Sequence, residues 1–330
     1  MSTEAARFSH NPEKIAFLTD SCADLSPKLR KNKPVFVVPL HVRCTDGEFL
    51  DGEDIFAQDI YRRQQLGEMP STSLPSGGRV SAVLDEIAAL GYEKVAAVHL
   101  SSGLSGTYNL VRIEAAEHAG LEVRVFDSLS GSLGLGATVL QAWDDVCAGM
   151  PWQELVEQRI PQLIRNTFPF FSVDTLEYLQ KGGRIGKITA IAGTMLNIKP
   201  LLSFAPDGQL ASVAKVRGRQ AVQPKFLELL AARTAGHTRY NLAVANGGAP
   251  PGDGGACQKD EGGLSELRAF LESGNRRHAV ELYWRRRAGR RHSVFGLSPP
   301  SGTPAALKTN MKKPRPYGRP CSFYSHVPQI

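Results

Sequence analysis

Short apolar runs rich in β-branched residues alternate along this chain with stretches of helical period. Lys14–Thr19 (KIAFLT), Val35–Val42 (VFVVPLHV), Lys94–Leu100 (KVAAVHL) and Val123–Phe126 (VRVF) read as buried strands. Arg79–Leu90, Tyr108–Ala119 and Ala137–Ala148 carry apolar residues at helical spacing. Strands alternating with helices predict an α/β fold with a mostly parallel sheet covered on both faces. The loops after the strand C-termini then gather at one edge, where ligands bind in such sheets.

After a further helical stretch, Trp152–Thr167, the pattern changes. Phe168–Val173 reads as a strand, and Thr175–Gln180 as a short helix stopped by Gly182-Gly183. Leu201–Phe204 and Leu210–Val216 flank Asp207-Gly208, a hairpin signal, and Gln220–Arg233 is again helical. The expected organisation is an α/β domain over 1–164, a second α/β domain over 165–248, and an atypical segment over 249–330.

At 330 residues the chain has room for two domains of ordinary size. Its 42% hydrophobic and 22% charged residues exclude a disordered or fibrous protein. No run approaches about 18 consecutive apolar residues, so no transmembrane helix is expected. The polar N-terminus, Met1 to Pro12, lacks the apolar stretch of a signal peptide. The five cysteines are scattered without a CxxC pair, which argues against a disulfide framework and a zinc site. A reducing cytoplasm fits best. The net charge of +7 conceals an uneven distribution. From Pro250 onward there are 14 Lys/Arg and 6 Asp/Glu, leaving 25 and 26 for residues 1–249. The main body is therefore nearly neutral and carries no electrostatic sign of nucleic-acid binding.

Two hydroxyl-rich segments stand out. Pro70-Ser71-Thr72-Ser73-Leu74-Pro75-Ser76 leads into a helix, and Ser101-Ser102-Gly103-Leu104-Ser105-Gly106-Thr107-Tyr108 lies between a strand and its helix. Hydroxyls and backbone N–H groups at helix N-termini suit an anionic or carboxyl head group, although capping and turn chemistry explains either loop taken alone. Neither is a Walker loop. Thr107 stands where the last glycine of a nucleophile elbow belongs. Asp20-Ser21 and Asp127-Ser128 follow strands and read either as caps or as polar lining. Gly134-Leu135-Gly136 lacks the third glycine of a dinucleotide site and reads as helix packing. Arg184, just past Gly182-Gly183, is either a solvated cation or one offered to an anionic or protein partner. No histidine stands at metal-ligand spacing.

In this order and spacing, several stretches resemble the DegV family of bacterial fatty-acid-binding proteins. They are TDSCADL, the Pro-Leu of VVPLHV, Asp46-Gly47, STSLPS, LSSGLSGTYN, FDS, LEYLQKGGRIG, LNIKPLL, DGQL and KVRGR, from about Lys14 to about Leu230. The resemblance implies a two-domain α/β fold with one long-chain fatty acid buried between the domains. It implies a carrier rather than an enzyme, with the fatty acid as ligand and no cofactor. A separate ATP-dependent fatty acid kinase would phosphorylate the carboxyl group for phospholipid synthesis. It also implies carboxyl contacts from Thr72 and from Ser102, or less favourably Ser105, and a kinase-facing Arg184. The runner-up is a serine-dependent acyl hydrolase or acyltransferase at Ser102 or Ser105, for which no base is evident in the sequence.

The chain departs from the family at its end. Family members carry a His-x-Gly-Pro-Gly type segment near the head group, and this sequence has none. From Arg276 onward there are 12 Lys/Arg and a single acid, Glu281. Low hydrophobicity with high net charge predicts poor folding. An out-of-frame reading of a GC-rich gene, a solvated tail and a basic binding arm all give such a composition.

Overall fold

The computed structural model describes residues 8–173, 175–191, 197–235, 241 and 243. The atypical segment 249–330, with every expectation placed on it, lies outside the described residues.

Strands β1 (Ile15–Asp20), β2 (Val35–Val38), β6 (Lys94–His99) and β7 (Glu122–Asp127) form a parallel sheet in the order β2-β1-β6-β7. Both central strands are buried along nearly their whole length, which is why they read as continuous apolar runs. Alternate residues feed two cores. Ile15, Phe17, Ala96 and Val98 pack with Leu135, Val139, Trp152 and Ile160. Ala16, Leu18, Val95 and Ala97 pack on the other face with Val80, Leu84, Ile87 and Val111.

The helices are α1 (Pro27–Arg30), α2 (Ala57–Gln65), α3 (Gly77–Ala89), α4 (Thr107–Glu117) and α5 (Leu133–Cys147). Next come α6 (Trp152–Glu154), a π-turn at Leu155–Arg159, α7 (Ile160–Arg165), α8 (Glu177–Lys181) and α9 (Val222–Thr234). None is long and apolar enough to cross a membrane.

The expected strand Val35–Val42 divides. Pro39 has no N–H to continue the ladder, so β2 ends at Val38 and the chain turns into β3 (His41–Cys44). β3 lies at the centre of a small antiparallel sheet between β4 (Gly47–Leu50) and β5 (Ser71–Ser73). Val42, Ile55 and Ile60 form the apolar cluster of this part of the chain. The first residues of STSLPS, read as loop, are thus a short strand. Strands this polar carry no alternation to betray them.

A third sheet, ordered β10-β9-β8, is built from β8 (Phe171–Ser172), β9 (Ile198–Phe204) and β10 (Leu210–Arg217). The Asp207-Gly208 hairpin is where the sequence put it. Ile198–Pro200 opens the central strand, β9. Beside Pro200 the β8 ladder has not yet begun, and the Ser172 hydroxyl donates to the Pro200 carbonyl. Phe171, Leu179, Ile188, Leu202 and Leu210 join the same apolar cluster as Phe17 and Leu135. The core therefore runs across residue 164, where the division into two domains was expected. Gly136 explains the Gly134-Leu135-Gly136 stretch: a Cβ there would strike the Ala23 carbonyl, so the glycine lets α5 close against the loop after β1.

Candidate head-group site

Strand order reverses between β1 and β6, and the crevice of such a sheet opens beyond the carboxyl ends of those strands. Asp20 closes β1 and His99 closes β6. The Asp20 carboxylate is fully buried and accepts from Cys22 N at 3.1 Å and from Leu100 N at 2.9 Å. His99 Nδ1 meets it at 3.0 Å and must donate, because a carboxylate only accepts. His99 Nε2 is buried without a partner among the described residues. One carboxylate thus anchors the start of both crevice loops. Of the two expectations for Asp20, a cap or polar lining, the cap is seen, for the 3-10 turn Ser21–Ala23. The link to His99 escaped it because nothing in the text makes β1 and β6 neighbours.

The second hydroxyl-rich loop follows. Ser101 is fully buried, its N–H donates to Ser130 O at 2.9 Å, and its Oγ donates to Gly208 O at 2.8 Å. Ser105 Oγ accepts from Thr107 N at 3.3 Å and lies 2.9 Å from Thr107 Oγ1, so this hydroxyl is engaged at the start of α4. Ser102 differs from both. Its backbone N–H donates to Asp127 Oδ1 at 3.1 Å, while its side chain is exposed and its hydroxyl makes no bond among the described residues. Between the two candidate serines, the local structure leaves Ser102 available and Ser105 engaged.

Thr72 stands opposite Val42 in the β3–β5 ladder, and its Oγ1 is buried without a partner among the described residues. An unpaired buried hydroxyl of this kind costs about 1–3 kcal/mol. The two hydroxyl-rich segments meet: a Cβ on Gly106 would stand 3.4 Å from Leu74 Cδ1.

Arg184 is placed by a Schellman stop on α8. Gly183 takes φ +77°, its N–H reaches Gln180 O at 3.1 Å, and Arg184 N reaches Leu179 O at 2.9 Å. The half-buried guanidinium donates through Nε to Leu104 O at 3.2 Å and through Nη1 to Gly182 O. It is therefore no solvated cation but one fastened beside the Ser102 loop, and burial pulls its pKa down.

Asp24 and Asp51 lie near Asp20. Asp24 is solvent-exposed as a residue, while its Oδ2 is turned inward and accepts from Ser132 Oγ at 2.5 Å. Desolvation, opposed by that bond and aided by the charges of Asp51 and Asp20, pushes the Asp24 carboxyl up to about 7. Burial likewise raises Asp51 and the Cys22 thiol. Elsewhere, Cys44, Asp46 and Glu68 hold ligand atoms within 4.8 Å of one another. The Arg63 guanidinium already bonds both carboxylates there, at 2.7 Å to Asp46 Oδ2 and 3.1 Å to Glu68 Oε2.

A family model described as "Uncharacterised protein, DegV family" matches residues 14–259. The chain belongs to the DegV family. The match runs past residue 230, where the recognisable motifs stop. A DegV domain-containing protein of Clostridium acetobutylicum is 35% identical over 237 residues, covering 72% of this chain and 84% of that protein. Among solved structures, a fatty-acid-binding DegV family protein from Thermus thermophilus superposes with a TM-score of 0.64 at 34% identity, over 68% of this chain and 80% of that one. DegV of Bacillus subtilis, a fatty acid binding protein, gives 0.64 at 27% identity, over 71% and 83%. The mixed α/β architecture with its parallel sheet is thus the DegV fold.

Proposed function

We propose that this chain binds one long-chain fatty acid and holds its carboxyl group between Thr72 and Ser102. The observation that carries the reading is the buried, unpartnered Thr72 hydroxyl on a segment that touches the Ser102 loop, in a chain whose solved relatives bind fatty acids. The energetics divide the labour. About 14 buried methylenes contribute on the order of 11 kcal/mol gross, at about 0.8 each. Each hydroxyl adds roughly 1.5–3 kcal/mol to a charged carboxylate. Tail burial dominates affinity, and the hydroxyls decide which end is presented.

We infer further that the presented carboxyl is phosphorylated by a separate ATP-dependent fatty acid kinase. Arg184, fastened beside Leu104, is the cation such a partner would meet. A carrier needs no nucleophile–base pair. A serine hydrolase or acyltransferase would need one, and among the described residues neither Ser102 nor Ser105 hydrogen-bonds a histidine. The test is an incubation of lipid-loaded protein with the kinase subunit and ATP. Acyl phosphate should form with wild type and fall at least tenfold with Arg184→Ala at unchanged lipid occupancy. Cleavage of an acyl ester by the protein alone, lost in Ser102→Ala, would establish the enzyme reading instead.

A further inference from the structure

We propose that the Asp207–Gly208 turn of the third sheet sets the conformation of the Ser102 loop, and that Ser101 is the positioning residue through which it acts. The inference rests on the head-group reading above and deepens it: the discrimination of a carboxyl from other lipid heads is controlled from a different sheet.

The contact is a two-way interlock. Ser101 Oγ donates to Gly208 O at 2.8 Å and accepts from Gly103 N at 3.2 Å, so one hydroxyl ties the turn to the loop's own backbone. Gly103 lies against the turn so closely that a Cβ would stand 2.5 Å from Gly208 C and 2.7 Å from Gln209 N. Gly208 has φ +75°, and a Cβ there would run into Ser101 Oγ. Both glycines are required by the same approach of backbone to backbone, and both Ser101 and Gly208 are buried.

The turn is braced from its own side. Gly208 N donates to Ala205 O and Ala205 N to Gln209 O, each at 2.8 Å. Asp207 accepts from Gln209 N at 3.2 Å and pairs with Lys187 Nζ at 2.6 Å. Ser102 itself is bracketed: its N–H is held by Asp127 on one side, while the Ser101–Gly103 bond holds the backbone on the other. The Ser102 side chain takes its direction from these two anchors, one of which is the turn. Ser101 does not touch the acid in this arrangement. It fixes the residue that does.

The experiment measures the equilibrium affinities of the full chain for a saturated fatty acid and for the alcohol of the same length. Ser101→Ala should bind the alcohol as wild type does and lose about tenfold of the preference for the acid. Asp207→Ala, an exposed substitution that loosens the turn without touching the core, should lose about threefold. Exchange of the Gly103 amide proton should accelerate in both variants. Ser101→Ala protein that melts like wild type and keeps its preference overturns the proposal. Should Ser101→Ala fail to fold, an unchanged preference in Asp207→Ala overturns it equally. Wild-type protein that binds acid and alcohol alike removes the head-group reading and this inference with it. Wild type that discriminates, with variants that also discriminate, removes this inference alone.

Discussion

Asp20 and His99 meet at 3.0 Å with both side chains fully buried, at the point where the parallel sheet reverses its strand order. The pair closes the two central strands, and its carboxylate also holds the backbone of Cys22 and Leu100. Removing the carboxylate leaves the buried N–H groups of Cys22, Leu100 and His99 without their acceptor. Asp20→Ala should therefore cost about 3–5 kcal/mol in urea unfolding, at about 1–3 for each orphaned donor. A cost under about 1 kcal/mol would show that Asp20 is only a local cap.

Thr72 gives a prediction in which stability and function part. Its hydroxyl is buried and unpaired among the described residues, so Thr72→Val should leave the lipid-free protein as stable as wild type or about 1 kcal/mol more stable. The same change should weaken fatty-acid binding about tenfold or more, as should Ser102→Ala. Ser105→Ala should do the reverse. Its hydroxyl is engaged with Thr107, so about 1 kcal/mol of stability should go while affinity holds. Loss of affinity confined to Ser105→Ala would transfer the head-group role to that residue.

The raised Asp24 carboxyl predicts a stability that depends on pH near neutrality. Its carboxyl is raised to about 7 in the folded chain, from about 3.9 unfolded. The folded state therefore binds the extra proton between those values. Stability from this group is full below about 4 and is lost as the pH rises through 7. Asp51, also raised, acts in the same direction, whereas Glu13, Glu93 and Asp207 are lowered and act only at acid pH. Urea midpoints should fall between pH 5 and 8, and Asp24→Asn should flatten that slope. An equal slope in the variant would remove Asp24 as its source.

The central strands, the main helices and the Asp207-Gly208 hairpin were legible in the sequence because each carries its own period or turn chemistry. The β4-β3-β5 sheet was not, since Pro39 hid a strand break inside one apolar run and Ser71–Ser73 has no hydrophobic alternation. Thr72 and Ser102 were found as residue types on suggestive loops. Their difference from Ser105 depends on where hydroxyl bonds go, which spacing does not encode. Ser101, Gly103 and Gly208 belong to one contact across 107 residues of chain, and no local signal joins them.

Gly136 tests the packing of α5. A Cβ meets the Ala23 carbonyl, so Gly136→Ala should cost about 1–3 kcal/mol and displace the Asp24 loop that the helix faces. Thermal unfolding measures the cost, and a neutral result would mean that the loop yields freely.

The most direct test of lipid binding is mass spectrometry of the purified full chain, native and after denaturing extraction. We expect about one long-chain fatty acid per chain, released only on unfolding, because burial of about 14 methylenes at about 0.8 kcal/mol each opposes release into water. Extracts with no acyl species, from protein that also takes up none when fatty acid is added, would contradict the proposed function.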